Sequence, residues 1–245
     1  MKLGISILAK DLKIKLDLLT KIKNKIDYLE IGVDRLTDWK YIKRYSDELK
    51  NFEINIHLPL DIGNFIYKKN YFEKIIKLNL KLGRNYNVVY YNMHLGKKIY
   101  EDEMKNLDMI VEKLNNINNL AINEFITIEN IYQDSMLGTT KVEFDYIIKN
   151  TKNKNIKFCY DIGHDFITKE YFCNNSYILK NTKVIHLSNN NGEIDQHLGI
   201  NLLENDIVHK EYLKNLIELS KDYYLLEVED KYILDDLMFF SFLKK

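Results

Sequence analysis

Net charge is the first thing this chain lacks. Its 245 residues carry 36 Lys and Arg against 36 Asp and Glu. No whole-molecule field therefore gathers a polyanion, and nucleic acid is disfavoured as a partner except through a local basic patch. Cysteine is nearly missing: two thiols, Cys159 and Cys173, exclude a disulfide-built scaffold and suit a reducing cytoplasm. Proline occurs once, at Pro59, amid abundant Lys, Asn and Ile, a compositional bias that carries little function. No apolar run is long enough to span a bilayer, and the start, MKLGISILAKDLK, lacks a signal-peptide pattern. A mature, cytoplasmic protein with no membrane partner is expected. Also absent is any Pro/Gly/Ser-rich linker or break in composition, which argues for one domain over residues 1–245. With 46% hydrophobic residues the chain has enough apolar surface for a sizeable core.

What is present is a repeat of short and long segments. Eight runs of β-branched and aromatic residues stand out: 3–7, 28–33, 52–58, 88–95, 125–129, 156–161, 183–188 and 223–228. Between them apolar residues recur at helical spacing. Examples are Ile14, Leu18, Leu19, Ile22 and Ile26; Phe72, Ile75, Ile76, Leu78, Leu80 and Leu82; Met104, Leu107, Ile110, Val111 and Leu114; and Tyr212, Leu213, Leu216, Ile217 and Leu219. Strand then helix, eight times over, predicts an α/β protein with a single (β/α)8 TIM barrel; a doubly wound open sheet is the alternative.

The strands alternate, although parallel strands covered on both faces should read as continuous apolar runs. Ile54 and Ile56 share one parity while Asn55 and His57 share the other; Asn92 goes with His94, and Thr127 with Glu129. Period-two geometry places these polar residues opposite the aliphatic ones. If the aliphatic face meets the helices, the polar face lines the barrel mouth. Such a ring is costly to desolvate unless water, hydrogen bonds or a cation satisfies it.

The strand ends and the loops beyond them then give a constellation. His57 lies in IHLPL, His94 in NMHLG, Glu129 in TIEN, and Asp161 and His164 in FCYDIGHDF. His186 lies in VIHLS, Asp195 and His197 in EIDQHLG, and Glu227 in LLEVE. In FCYDIGHDF alone, Gly163 allows a turn that brings His164 towards Asp161, though a capping Asp161 and a buried, hydrogen-bonded His164 account for it equally well. Five of the six histidines sort to strand ends, which favours convergence on metal. The sixth, His209, reads as a solvated helix residue. Cys159 shares the parity of Asp161 and reads as a buried, inert thiol. Glu30, in YLEIG of the second run, faces the mouth, where it touches substrate or makes a salt bridge or hydrogen bond.

The ordered set H-x-P, H-x-G, E-N, D-x-G-H, H-L, D-x-H-x-x-G and L-E resembles the endonuclease IV and xylose isomerase-like superfamily of metal-dependent TIM barrels. The resemblance runs essentially the whole chain. It implies, for a phosphodiester-cleaving member, up to three zinc ions. One would sit on His57, His94 and Glu129; Glu129 would bridge to a second completed by Asp161, His186 and Glu227; a third would sit on His164, Asp195 and His197. For a sugar or sugar-phosphate isomerase or epimerase, it implies one Mn2+ or Mg2+ on Glu129, Asp161, His186 and Glu227. Glu129 and Glu227 are the expected catalytic residues and would move the proton in that alternative. Because the one-metal reading needs none of His57, His94, His164, Asp195 and His197, a metal-dependent phosphodiester or phosphoester hydrolase is the favoured expectation.

Departures from the family pattern bear on substrate. The loops after the first two strands, 9–11 and 34–38, are short, with Arg35 and Trp39 as the residues suited to entering a duplex. Leu60 stands where an aromatic is expected, and NIYQDSMLG lacks a Gly-rich run. A small phosphodiester or sugar-type substrate is expected rather than duplex DNA.

Overall fold

The computed structural model describes residues 1–60, 62–68, 70–117, 123–205, 207–219 and 221–243. Its eight strands are β1 (Lys2–Leu8), β2 (Tyr28–Gly32), β3 (Glu53–His57), β4 (Tyr90–Met93), β5 (Phe125–Glu129), β6 (Ile156–Asp161), β7 (Thr182–Leu187) and β8 (Tyr223–Leu226). They pair in chain order, and β1 meets β8, so the sheet closes into a barrel. All pairs are parallel. The (β/α)8 barrel expected from the repeat is the fold, and the open-sheet alternative falls.

The helices are α1 (Leu12–Ile22), α2 (Trp39–Arg44), α3 (Ser46–Leu49), α4 (Tyr71–Gly83), α5 (Glu103–Asn115), α6 (Lys141–Asn150), α7 (Ile162–Thr168), α8 (Ser176–Asn181), α9 (Ile207–Glu218) and α10 (Asp230–Leu243). None of the described helices is long and apolar enough to cross a membrane. The helical pattern needs amendment in places. In α1 the buried residues are Leu12, Leu19 and Ile22, and Ile14 is 73% exposed. Two residues on from Leu12 is about 200° round a helix, so Ile14 faces away from the barrel. Met104 and Leu219 are exposed as well. The side chain of His209, in α9, lies outside the described residues.

Strand alternation divides the apolar residues into two cores. The outward set, including Ile5, Ile31, Ile56, Met93, Ile128, Tyr160, Ile185 and Leu226, packs under the helices. The inward set is smaller: Tyr28, Tyr90, Cys159, Val184, Tyr223 and Leu225 plug the lower barrel. Tyr28 meets Tyr223 edge-on at 5.2 Å, and Tyr90 meets it at 5.0 Å, an arrangement that aromatic quadrupoles favour. Above this plug the interior turns polar, and Glu30, Asn55, Asn92, Thr127, Glu129, Asp161 and His186 are all buried.

Two local devices set the level of those residues. Backbone pairing between β3 and β4 is brief, Ile56 with Tyr91 and His57 with Asn92. Below it Asn55 Oδ1 accepts the N–H groups of Val89 and Tyr90, both at 3.1 Å, so a side chain closes the seam. Between β6 and β7 the register slips by one residue at Phe158/Cys159, which brings Asp161 directly beside His186. The strands β4 and β8 each end two residues before the runs read from the sequence. His94 and Glu227 each lie one residue beyond the paired part of β4 and β8, on the rim.

Candidate metal centre

All nine residues of the constellation come to one mouth of the barrel, and the backbone fixes several of them. Asp161 ends β6 and caps α7: its Oδ1 accepts the His164 N–H at 2.7 Å. The capping role and the site role are therefore held by one carboxylate, since Asp161 Oδ2 is left buried with no hydrogen-bond partner. Gly163 is needed for a different reason from the one expected. It is not in the left-handed region, where the described glycines are Gly96, Gly138 and Gly192. A Cβ there would instead collide with Ser188 Oγ, so glycine is what lets α7 start tight against the end of β7.

Asn130 ties this corner to β5. Its Oδ1 accepts from the Asp161 N–H at 2.7 Å and its Nδ2 donates to the Asp161 carbonyl at 2.9 Å. Asn92 donates to Glu129 Oε2 and accepts from Thr127 Oγ1, which orients the glutamate. Sequence parity puts Asn92 on the right face, but no spacing rule assigns either asparagine its partner.

The imidazoles are aimed in a shared way. His57, His164 and His197 each place Nδ1 2.8 Å from a backbone carbonyl, those of Leu58, Asn130 and Glu227 respectively. An Nδ1–H donated to a carbonyl leaves Nε2 as the coordinating nitrogen, the arrangement found behind metal-ligating histidines. His57 Nε2 and His94 Nε2 lie 3.4 and 3.5 Å from the same oxygen, Glu129 Oε2. The other oxygen, Oε1, lies 3.6 Å from His186 Nδ1. His186 Nδ1 is also 2.7 Å from Glu227 Oε2 and 3.8 Å from Asp161 Oδ2. Asp195 Oδ2 sits between His164 Nε2 at 3.3 Å and His197 Nε2 at 3.1 Å. His197 reaches that position from a left-handed backbone, φ 48°, and its carbonyl accepts from Glu229 N–H at 3.0 Å.

These donors form two tight groups, His57, His94 and Glu129 in one and Glu129, Asp161, His186 and Glu227 in the other, with Glu129 common to both. Within each, one donor atom per residue lies inside 4.8 Å of the rest. His164, Asp195 and His197 adjoin them as a looser cluster. Besides Asp161 Oδ2, both ring nitrogens of His186 and Asp195 Oδ1 are buried without a hydrogen bond. Orphaned acceptors and imidazoles pointing at one another are costly in a protein interior unless a cation joins them, so the donor set fits divalent metal. Cys159 Sγ lies close to Glu129 and His186 as well. Burial pushes its thiol far above the ordinary range, which keeps it protonated and a poor ligand.

Electrostatics show how strongly the groups feel one another. Burial alone would favour a neutral His57, yet Glu129 raises it to about 9. His197 rises to about 10 through its hydrogen bond with Asp195. Burial also works against the charged forms of Glu129 and Glu227, but His186 and its neighbours hold Glu129 well below the carboxylate range and bring Glu227 to about 2. Asp161 goes the other way, up to about 6, because burial outweighs the nearby imidazoles.

The mouth opens into a cavity of about 350 Å³. Leu8, Val33, Leu58, Leu60, Ile131 and Met136 give it an apolar wall, and Tyr132 packs on His164 with ring centres 5.2 Å apart. No lysine or arginine is among the described residues that line it. Lys98, two residues past Gly96, pairs at 3.0 Å with the buried Glu143. Trp39 is buried and donates to Asn79 Oδ1 at 2.9 Å, so it belongs to the helix packing.

The chain is similar to known proteins. Uncharacterized protein MJ1614 of Methanocaldococcus jannaschii is 29% identical over 257 aligned positions, covering 97% of this chain and 95% of its own length. A D-tagatose 3-epimerase-like protein of known structure superposes with a TM-score of 0.76 at 23% identity, covering 100% of this chain and 99% of its own. Endonuclease IV from Thermus thermophilus superposes with a TM-score of 0.66 at 13% identity, again covering 100% and 99%. At these identities the structural likenesses establish the barrel and leave the reaction open. The family model described as xylose isomerase-like TIM barrel matches residues 33–240, and the chain belongs to that family.

Proposed function

We propose that this protein is a metal-dependent hydrolase of a small phosphodiester or phosphoester, with a multinuclear zinc centre on His57, His94, Glu129, Asp161, His164, His186, Asp195, His197 and Glu227. The observation that carries the proposal is the two-sidedness of Glu129. Its Oε2 faces the two imidazoles His57 and His94 while its Oε1 faces His186. A carboxylate so placed would serve two cations, one held with His57 and His94 and one with His186, and a single-metal isomerase would have no use for the His57 and His94 side. The imidazole-rich group favours zinc over Mg2+ or Mn2+, which prefer oxygen. Bound zinc would activate water and stabilise charge developing on phosphate.

The protein's own contribution is orientation. Carbonyl partners lock three of the histidines, Asn92 and Asn130 hold Glu129 and Asp161, and an apolar wall flanks the donors. With no lysine or arginine in the described lining, the substrate's negative charge would rest on the metal centre alone. That supports a compact substrate over a nucleic-acid duplex, whose flanking phosphates need basic contacts.

A sugar isomerase or epimerase is the second reading. It is favoured by one observation, that Glu129, Asp161, His186 and Glu227 alone make a compact quartet. Metal analysis of protein purified without added metal, paired with hydrolysis of bis-p-nitrophenyl phosphate, separates the two. Close to three zinc per chain with cleavage is expected; about one manganese, cobalt or magnesium with sugar epimerisation would overturn the hydrolase.

A further inference from the structure

One carboxylate lies below the nine donors and is used by none of the roles above. Glu30 points inward from β2 and is fully buried. Its Oε2 accepts a 2.6 Å hydrogen bond from the Tyr90 hydroxyl and lies 3.4 Å from His186 Nε2. Oε1 is buried without a hydrogen bond. Glu30 is not among the described residues that line the cavity. Substrate contact, one of the two roles expected for Glu30 from sequence, is thereby set aside.

His186 is the exception among the ring orientations. His57, His164 and His197 turn Nδ1 to a backbone carbonyl and Nε2 to the centre. His186 turns Nδ1 to the centre, towards Glu227, Glu129 and Asp161, and turns Nε2 down the barrel. No carbonyl hydrogen-bonds its outer nitrogen, and the acceptor it faces is Glu30. An imidazole ligates through the nitrogen that carries no proton, so whatever holds the proton on the opposite nitrogen decides which face coordinates.

We infer that Glu30 is a positioning residue that acts through His186: it takes the Nε2–H of that ring, commits Nδ1 to the Asp161, His186 and Glu227 metal site, and is itself held by Tyr90. This rests on the metal-centre reading given above. The consequence is local. Glu30 governs the deep site, where it meets His186 directly, and reaches His57 only through its charge.

The test compares the full-length wild type with Glu30→Gln and Tyr90→Phe. Each is equilibrated in zinc buffered by a chelator of known affinity, and bound zinc is counted. Long-range 1H–15N spectra of the imidazoles report the tautomer of His186. Glu30→Gln keeps the shape but loses the charge; its zinc affinity at one site is expected to fall about 10- to 100-fold, in the range such partners usually contribute. His186 should lose its single Nε2–H form. Tyr90→Phe, which leaves Glu30 in place with its hydroxyl partner gone, should weaken the same site less, and serves if Glu30→Gln fails to fold. Wild-type zinc affinity at every site in both variants, with His186 unchanged, overturns the inference while sparing the hydrolase. Wild-type protein that retains no zinc overturns the metal-centre reading and this inference with it.

Discussion

Zinc loading should release protons, and the structure sets the scale. In the metal-free protein His57 titrates at about 9 because Glu129 stabilises the imidazolium. At pH 7.5 the ring is therefore charged, with Nδ1–H on the Leu58 carbonyl and Nε2–H towards Glu129. Zinc must displace the Nε2 proton. Removing it about 1.5 pH units below its pKa, at about 1.4 kcal/mol per unit, takes about 2 kcal/mol from the apparent binding energy. Affinity at this group should thus climb about tenfold per pH unit between pH 6.5 and 8.5 and level off past pH 9. His164, His186 and His197 are raised in the same direction, and His197 less effectively because it is partly exposed. Titration calorimetry in buffers of different ionisation enthalpy should count more than two protons released per chain at pH 7.5. Stability runs the opposite way without metal. A histidine whose folded pKa is raised contributes fully below its ordinary 6.5, and that contribution is lost as pH rises through about 9. The melting temperature of chelated protein should fall between pH 7 and 10 while that of zinc-loaded protein holds. A proton count near zero, or an affinity flat from pH 6.5 to 8.5, would refute the account, since the rings would then already be neutral before zinc arrives.

Other perturbations test separate parts. His197→Ala removes one neighbour of Asp195 Oδ2, and it should cost one zinc per chain and most phosphodiester cleavage, whereas an enzyme acting through the quartet alone would keep most of its rate. Glu143 is fully buried and accepts from Gly138 N–H at 2.9 Å and Thr139 N–H at 2.8 Å as well as pairing with Lys98. Glu143→Ala should therefore lose about 1–3 kcal/mol in urea denaturation, the loss expected when buried backbone donors are left without their acceptor. Gly163→Ala places a methyl against Ser188 Oγ; stability should drop by about 1–3 kcal/mol, and zinc content should drop with it as Asp161 and His164 move apart. Unchanged zinc content in a folded Gly163→Ala protein would show that the start of α7 has room to spare.

The barrel was legible in the sequence because its periodicities are unusually plain. Strand alternation at Asn55/His57 and Thr127/Glu129 marked both the inward face and the end at which the chemistry gathers, and the observed β5 and β6 coincide with the sequence runs. Helical faces were less legible. Ile14 and Met104 fit a loose three-and-four spacing yet face solvent, because a single apolar residue satisfies that spacing on more than one face of a helix. The reason for Gly163 was not legible at all. A glycine before a histidine suggests a turn, whereas its actual constraint is a side chain on the next strand's end, Ser188, which only the closed sheet brings near.

What no sequence pattern carries is the direction in which an imidazole points. His57 and His186 both lie near the end of a β-strand on the inward face, yet one offers Nε2 to the centre and the other Nδ1. The difference lies in what stands behind each ring. His57 is the last residue of β3, and the carbonyl of Leu58, just past the strand's end, takes its Nδ1–H. His186 lies one residue inside the end of β7 and is fully buried; its neighbours in the ladder, Asp161 and Leu225, use their backbone groups to hold the barrel closed. Only a side chain can stand behind that ring, and the inward position on β2 supplies Glu30. Depth in the barrel thus decides whether backbone or side chain orients a histidine. The deepest site is then the one whose metal affinity a single substitution behind its histidine should control.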